Sequence, residues 1–264
     1  MKNLFLFLFL LVVFTSKAQD NRVSGLNSRQ FTKYWKVESE SPDYKVTFQG
    51  DTAEIVSPKG LTLWRKEKMS GKVTIEYDAC VVVESDGDRL SDLNCFWMAS
   101  DPQYPDNLWK REKWRSGIFL NCYSLQLYYL GYGGNHNSTT RFRRYDGDES
   151  GITNPKARPA ILKEYTDAGH LLKPNHWYHI KITNENNRVS YYIDGERLVD
   201  FRDAEPLREG WFGFRTTLSR TRITNFSYEC SSQEATAVPL QWIGETPRQD
   251  KAVSFGVPFD KGEV

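Results

Sequence analysis

A basic strand predicted at residues 139–145 is the part of the sequence best suited to chemistry on an acidic substrate. Successive side chains of a strand point to opposite faces of a sheet, so Arg141, Arg143 and Tyr145 are expected to share one face. Phe142 is expected to face the core from the other side. Guanidinium groups bind carboxylates through charge-assisted, often bidentate, hydrogen bonds. The strand therefore predicts a surface that can hold a carboxylate-bearing ligand.

A polar turn is predicted immediately before this strand. Gly133 and Gly134 allow the chain to turn tightly, which places Asn135, His136 and Asn137 at a tip beside the basic face. Histidine can take up or release a proton near neutral pH, and asparagine amides donate hydrogen bonds to carboxylates. The turn is therefore predicted to contribute to the same site, with Asn135 or Asn137 binding substrate.

These residue types match the β-elimination of a uronic acid chain. The reaction requires that the C6 carboxylate be neutralised, that a base remove the C5 proton and that an acid protonate the leaving oxygen. Arg141 and Arg143 would hold the carboxylate. His136 would act as the base, and Tyr132 or Tyr145 would act as the acid.

A structural alternative for the same residues stays open. Arg141 and Arg143 could form surface pairs with acids such as Asp146 or Asp148, and His136 could simply be solvated. In that case the strand is an ordinary outer strand that carries no chemistry.

Three residues elsewhere are predicted to extend the substrate-binding surface. Trp97 ends a strand where cleft loops begin, although packing in the core is its alternative. Trp109 lies in a loop at 105–115 that interleaves aromatic and basic residues, a pattern suited to an acidic sugar. Arg215 adds positive charge near the last strands.

The elements that must position these residues are strands. Alternating and β-branched runs separated by Gly, Asn and Asp turns dominate from residue 44 onward, which predicts an all-β chain. One short helix is predicted at 159–172, where Pro159 can occupy the first helical position. The predicted strands cover 45–48, 54–56, 61–64, 71–84, 94–99, 116–122, 125–132, 139–145, 176–183, 188–193, 196–201, 210–216 and 222–229.

The second half of the chain resembles concanavalin A-like lectin and glucanase domains. The resemblance rests on a "W-Y" strand, a "Y-x-D-G" hairpin and a "G-x-F-G-F-R" strand, found in Asn175–Ile182, Val189–Gly195 and Gly210–Arg215, followed by Ile223–Phe226. The chain also resembles YesU-like and DUF6250-like secreted domains of bacteria that degrade pectin-like polysaccharides. This resemblance spans about residues 30–230 and implies a jelly-roll β-sandwich of two antiparallel sheets.

Hydrolysis by two carboxylates is a weaker alternative within that resemblance. Many concanavalin-like hydrolases carry E-x-D-x-E on one strand, whereas Glu76 and Asp78 are followed here by Cys80. The acidic turn at 84–88 is expected to be a solvated loop, with a structural Ca²⁺ as its alternative. No other metal and no cofactor is predicted.

Both ends of the chain differ in character from the middle. Residues 1–18 are typical of a secretory signal peptide, so the protein is predicted to be secreted or periplasmic. No later apolar run is long enough for membrane insertion. After a sandwich predicted at 19–230, residues 231–264 form a linker and a tail that resembles the opening of an exo-acting polysaccharide lyase barrel domain.

The composition narrows the classes of partner. With 35 Lys and Arg against 34 Asp and Glu, the net charge is only +1, so neither nucleic acid nor an anionic membrane is predicted as a partner. The four cysteines either pack as small apolar residues or include one disulfide.

Three functions remain after these exclusions, and all three involve a polysaccharide. The first is a lyase that acts on a uronate-containing polymer of the pectin or rhamnogalacturonan type. The second is a non-catalytic binding module for the same polymer, accessory to a downstream lyase domain. The third is a structural domain of a glycan-uptake assembly.

Overall fold

A computed structural model describes residues 22–231 of the 264-residue chain. The signal peptide predicted at 1–18 lies outside the described residues, as does the predicted tail after residue 231. Within the described part, no helix is long and apolar enough to cross a membrane.

Antiparallel strands make up most of the described chain, because alternating and β-branched residues suit a pleated, half-buried surface. In chain order they are β1 (Arg22–Ser24), β2 (Trp35–Ser39), β3 (Lys45–Gln49), β4 (Thr52–Arg65), β5 (Met69–Ser70), β6 (Lys72–Val81), β7 (Leu93–Ser100), β8 (Gln126–Gly133), β9 (Thr139–Asp146), β10 (Lys163–Tyr165), β11 (Tyr178–Glu185), β12 (Arg188–Ile193), β13 (Glu196–Arg202) and β14 (Glu209–Ser231).

The strands form two layers, here called the front layer and the back layer. The front layer has the order β10-β9-β8-β7-β14-β4-β2, and the back layer has the order β3-β4-β14-β6-β11-β12-β13. Strands β4 and β14 are long enough to belong to both layers, so one hydrogen-bonded network runs through the whole sandwich. A register shift beside Leu218, whose φ is 49°, marks the bend in β14.

The main core lies between the two layers. Trp97 and Tyr128 of the front layer are fully buried, and the Trp97 ring centroid lies 6.1 Å from that of Tyr191 in the back layer. Phe142 is buried in the same cluster. The prediction of an all-β jelly-roll sandwich is therefore confirmed, with the layers joined by shared strands.

A second core covers part of the outer face of the front layer. Trp64, Phe96, Tyr145 and Trp211 pack there against the segment between β7 and β8. Strands β7 and β8 are consequently buried on both faces over much of their length. The rest of the outer face stays uncovered, and the cleft described below lies there.

Short helical segments occur only in connections between the described strands. Single α-helical turns occupy Phe31–Tyr34, Glu112–Arg115 and Ser150–Thr153. Turns of 3-10 helix occupy Leu108–Arg111, Leu120–Ser124, Pro155–Ala157 and Ala168–His170.

Two predicted elements have a different secondary structure in the protein, and each of the long strands β4 and β14 is predicted as two shorter strands. The strand predicted at 116–122 is a turn followed by the 3-10 segment, because Ser116 and Gly117 adopt φ angles of 48° and 68° that interrupt an extended chain. The helix predicted at 159–172 contains strand β10, which pairs with the edge of β9. Its apolar residue Leu162 is exposed, so no buried face existed to stabilise a helix.

The cysteines are unpaired in the described chain. Cys80, Cys95 and Cys122 are buried and Cys230 is half-buried, and none forms a disulfide. Burial raises the pKa of the Cys122 thiol to about 11. These thiols therefore act as small apolar residues and are not reactive groups.

Candidate functional site: a basic cleft

Cross-strand pairing assembles a row of polar positions across the front layer. Arg215 of β14 pairs with Asn94 of β7, which pairs in turn with Gly131 of β8. Gly131 pairs with Arg141 of β9. In an antiparallel sheet, directly paired residues present their side chains on the same face. Residues that are far apart in the sequence therefore share one outer surface.

This surface is the floor of an open cleft of about 460 Å³. Phe119, Leu120 and Tyr123, from the segment that covers the second core, form one wall. The turn between β8 and β9 contributes Asn135 and His136. Five arginines and two carboxylate side chains also line the cleft, namely Arg89, Arg141, Arg143, Arg158, Arg215, Glu40 and Asp92.

Two of the five arginines are neutralised by neighbouring acids. Arg141 Nε lies 2.5 Å from Glu164 Oε1, on the paired strand β10. Arg89 Nη1 lies 2.9 Å from Asp92 Oδ2 at the opposite end of the polar row. Arg141 therefore forms an ion pair within the protein, which is the structural alternative given for this residue in the sequence analysis. The partner is Glu164, and not Asp146 or Asp148.

The other three arginines form no ion pair within residues 22–231. Arg143 donates to the carbonyl oxygen of Pro159, and Arg215 Nη1 donates to the carbonyl oxygen of Gly117 at 2.5 Å. Arg158 makes a long hydrogen bond to the backbone carbonyl of Gly151, at 3.4 Å, and its guanidinium lies over the ring of Tyr123. Carbonyl oxygens orient Arg143 and Arg215, and no carboxylate of the described chain lies within 4 Å of any of the three guanidinium groups. The cleft therefore offers three cations to an anionic ligand.

The turn that holds His136 is strained and firmly held. Asn135, His136 and Asn137 have φ angles of 50°, 57° and 56°, a left-handed conformation that costs ordinary residues about 1–2 kcal/mol each. Asn137 is tied at both ends of its amide to the backbone of Leu172, at 2.8 and 2.9 Å. The turn therefore keeps His136 at the edge of the cleft.

Five of the ten residues predicted for the site line this one cleft. They are His136, Arg141, Arg143, Asn135 and Arg215. The alternation of side chains along β9 explains Arg141 and Arg143, the turn before β9 explains Asn135 and His136, and Arg215 reaches the cleft from β14. Asn137 belongs to the same turn, but its amide fastens the turn to Leu172 and does not line the cleft.

The structure does not bring the two predicted acid tyrosines to the cleft. Tyr145 lies on the predicted face of β9, but it is fully buried in the second core, and burial raises its pKa well above the usual range. Tyr132 faces the main core, where its hydroxyl donates to the carbonyl of Leu171 at 3.3 Å. The hydroxyl that lines the floor belongs instead to Tyr129.

The two predicted tryptophans also lie outside the cleft. Trp97 is fully buried in the main core beside Tyr128 and Phe142. Packing in the core was the alternative to a substrate-binding role for this residue. Trp109 packs against the second core, edge-to-face with Trp211 at 6.1 Å between ring centroids. Both rings therefore stabilise the sandwich and are not placed to stack on a ligand in the cleft.

Asp78, considered for hydrolysis, and Asp88, considered for Ca²⁺, have partners inside the protein. Asp78 lies on the back layer, 2.7 Å from the imidazole of His179. In the acidic turn, Asp88 accepts hydrogen bonds from the backbone of Glu84 and Ser85. No group of three or more His, Cys, Asp or Glu side chains that could hold a metal occurs within the described residues.

Several cleft residues were not predicted from the sequence. They are Arg89, Asp92, Asn94, Tyr129, Gly131 and Arg158. A usable signal existed for two of them. If His136 is taken as the centre of the turn, counting outward pairs Gly131 with Arg141 and Tyr129 with Arg143, as the structure shows.

Solved structures with the same fold include lectin-like domains. A protein of unknown function with a galectin-like fold from Bacillus subtilis superposes with a TM-score of 0.62 at 15% identity, covering 81% of this chain and 96% of that one. The carbohydrate-binding module CBM66 from Bacillus subtilis gives a TM-score of 0.50 at 16% identity, with 74% and 94% coverage.

The exoplasmic/lumenal domain of VIP36, in its Ca²⁺/Man3GlcNAc-bound form, gives a TM-score of 0.53 at 9% identity, covering 82% of this chain and 91% of that domain. At such identities the likeness shows the fold alone.

No curated protein matches the sequence. The family model called "Domain of unknown function (DUF6250)" matches residues 55–226, more than half of the chain. The resemblance to lectin-like and DUF6250-like domains is thus confirmed, and the chain belongs to the DUF6250 family.

Proposed function

We propose that this protein is an exported carbohydrate-binding protein whose cleft holds a uronate-containing polysaccharide. The observation that carries the proposal is the set of three arginines, Arg143, Arg158 and Arg215, that form no ion pair within the described chain. A buried or half-buried charge without a partner is costly. A ligand carboxylate would meet that charge with strong, directional hydrogen bonds.

The fold and the shape of the cleft support a sugar chain as the ligand. Similar folds include CBM66 and VIP36, which are named respectively as a carbohydrate-binding module and as a complex with Man3GlcNAc. The cleft is open, so it can admit a chain and not only a small molecule. Phe119, which is only partly buried, offers aromatic surface to the apolar face of a sugar ring.

The charge distribution favours an acidic sugar over nucleic acid. The chain as a whole carries a net charge of only +1, so no broad positive field attracts a phosphate backbone. The arginines without an ion pair are confined to the cleft, where they can contact the carboxylates of a sugar chain. A polymer with one carboxylate per sugar residue matches this local arrangement.

β-Elimination in the same cleft is a second candidate function, favoured by His136 at the edge of the cleft near Arg143. Arg143 would stabilise the negative charge that develops on the sugar carboxylate. His136 would take the proton from C5, the electron pair would form the C4–C5 double bond, and the bond from C4 to the leaving oxygen would break. The leaving oxygen would take up a proton, which balances the reaction.

The binding proposal is tested by calorimetry with polygalacturonate and rhamnogalacturonan. Arg143→Ala is expected to weaken binding by about 10-fold or more, because hydrogen bonds to charged groups contribute about 1.5–3 kcal/mol. Arg222→Ala is the matched control, because Arg222 is paired with Glu54 on the back layer. Equal binding of the wild type to a polymer whose carboxylates have been reduced to alcohols would contradict the proposal.

Elimination is tested separately, through the ultraviolet absorbance of the unsaturated uronide product. A lyase would generate this absorbance, and His136→Ala would abolish it without preventing binding. If the wild-type protein binds the polymer and the ultraviolet absorbance does not rise, the protein is a binding module without lyase activity. In that case cleavage would belong to a separate lyase domain.

A further inference from the structure

Tyr129 occupies the centre of the cleft floor. It lies on β8, paired with Phe96 of β7 on one side and with Arg143 of β9 on the other. The side chain is 8% exposed, and its hydroxyl forms no hydrogen bond with another described residue. Unlike the hydroxyl of Tyr145, which is fully buried without a partner, the Tyr129 hydroxyl is accessible from the cleft. A ligand in the cleft would supply the missing partner.

The absence of a side chain at Gly131 leaves space for the Tyr129 hydroxyl. A β-carbon at position 131 would overlap with the hydroxyl oxygen and with the adjoining ring carbon of Tyr129. The ring therefore leans over a position that has no side chain. Because Gly131 is also the residue between Asn94 and Arg141 in the polar row, the hydroxyl lies within that row.

Two arginines and one carboxylate lie near this hydroxyl, namely Arg143, Arg215 and Asp92. Burial raises the pKa of Tyr129, so the phenol stays protonated at neutral pH and can donate a hydrogen bond. Asp92 adds to this rise, while Arg215 and Arg143 oppose it, and all three side chains line the cleft together with Tyr129. Asp92 itself is engaged by Arg89.

We propose that Tyr129, Arg143 and Arg215 form a subsite for a single carboxylate group of the sugar chain, at the cleft floor beside Gly131. The inference rests on the proposed function and specifies where in the cleft the acid is recognised. Three donors, of which two carry full charges, suit the two oxygens of a carboxylate. Arg141 is left outside this subsite because Glu164 already meets its charge.

The test compares a galacturonate oligosaccharide with its methyl ester, which has the same sugar chain without the charge. Calorimetry on the full chain would measure both ligands with the wild type and with Tyr129→Phe, which removes only the hydroxyl oxygen. Affinity for the acid is expected to fall about 10-fold, and affinity for the ester is expected to change less than about twofold. Tyr192→Phe, at a half-buried position on β12 of the back layer, is the matched control.

Gly131→Ala provides a second variant at the same subsite. The added methyl group should displace the Tyr129 hydroxyl and reproduce the selective loss of the acid. Thermal unfolding and circular dichroism verify that each variant is folded.

Three outcomes overturn the subsite: unchanged affinity of Tyr129→Phe for the acid, equal losses for the acid and the ester, or a folded Gly131→Ala variant that binds like the wild type. These outcomes leave the proposed function intact, since the wild type still binds the acid. A wild type that binds neither form of the oligosaccharide contradicts the proposed function itself.

Discussion

Two groups of arginines on opposite layers of the sandwich show different uses of the same side chain. On the back layer, Arg220 lies 2.9 Å from Glu54 and 2.7 Å from Glu84. Arg222 lies 2.7 Å from the other oxygen of Glu54. This group is a closed network that joins β4, β14 and the turn after β6. It has no positive charge left for a ligand.

The cleft arginines differ in what they contact and not in their number. Arg143 and Arg215 are held by carbonyl oxygens, and no described acid pairs with either of them. The comparison teaches that the count of basic residues does not identify a binding surface. A site is indicated where the fold orients a charge and leaves it uncompensated.

Beneath the cleft, a third arginine arrangement supplies the largest predicted effect. Arg115 is fully buried and its Nη2 lies 3.0 Å from Glu38 Oε2. Arg115→Leu is expected to lower the free energy of unfolding by about 3–5 kcal/mol, because it leaves a buried carboxylate without its partner. Burial already raises the pKa of Glu38, although Arg115 opposes the rise. Urea denaturation measures the loss.

The back-layer network supplies the control for this prediction. Arg220→Leu should cost less than about 1 kcal/mol, because its pairs are partly exposed to water. The double variant Glu38→Leu/Arg115→Leu should recover much of the stability lost in Arg115→Leu, since Glu38 no longer lacks a partner and Asp101, the second acid near Arg115, keeps its ion pair with Arg111. Equal losses for Arg115→Leu and Arg220→Leu would remove the distinction between the two layers.

The sequence predicts the fold well where strands are short and joined by clear turns. The strand Arg188–Ile193 was predicted with both boundaries correct, because the Asp194-Gly195 turn limits it on one side and a polar turn limits it on the other. The long strand β14 was predicted as two strands, because its bend at Leu218 looks like a loop in the sequence.

The candidate site was only partly predictable, for a reason that lies in β8. This strand is buried on both faces, so its apolar residues do not alternate with polar ones, and the sequence cannot separate Tyr129 from Tyr132. Arg158 comes from a loop that reaches the cleft only through tertiary packing. By contrast, the buried Phe142 of β9 lies between the half-buried Arg141 and Arg143, and the sequence predicts the face of both arginines correctly.

The hairpin turns of the two layers allow a second, smaller test. Asn137 at the cleft and Asn186 in the turn between β11 and β12 both have left-handed backbones, with φ angles of 56° and 55°. Asn137→Ala should destabilise the protein by about 1 kcal/mol more than Asn186→Ala, because only Asn137 also loses hydrogen bonds to Leu172. Thermal or urea unfolding measures both, and equal losses would show that the amide clamp has no energetic role.

The smallest expected effect is a difference between the two arginine groups in how the free energy of unfolding depends on pH. The hydrogen bond from Arg220 lowers the pKa of Glu54 below its ordinary value of 4.5, against the opposing effect of partial burial. A lowered folded-state pKa means that the unfolded chain binds more protons in this range. The stabilisation is therefore present above about pH 4.5 and is lost as the pH falls through the folded-state pKa.

Arg220→Gln should flatten this acid-range loss, whereas Arg143→Gln should follow the wild-type curve, because no described acid depends on Arg143. Urea unfolding at intervals from neutral pH to about pH 3 measures the slopes, with an expected difference below about 1 kcal/mol. If Arg143→Gln flattened the curve as much as Arg220→Gln, the cleft arginine would be shown to serve an acid of the protein, and its charge would not be free for a ligand.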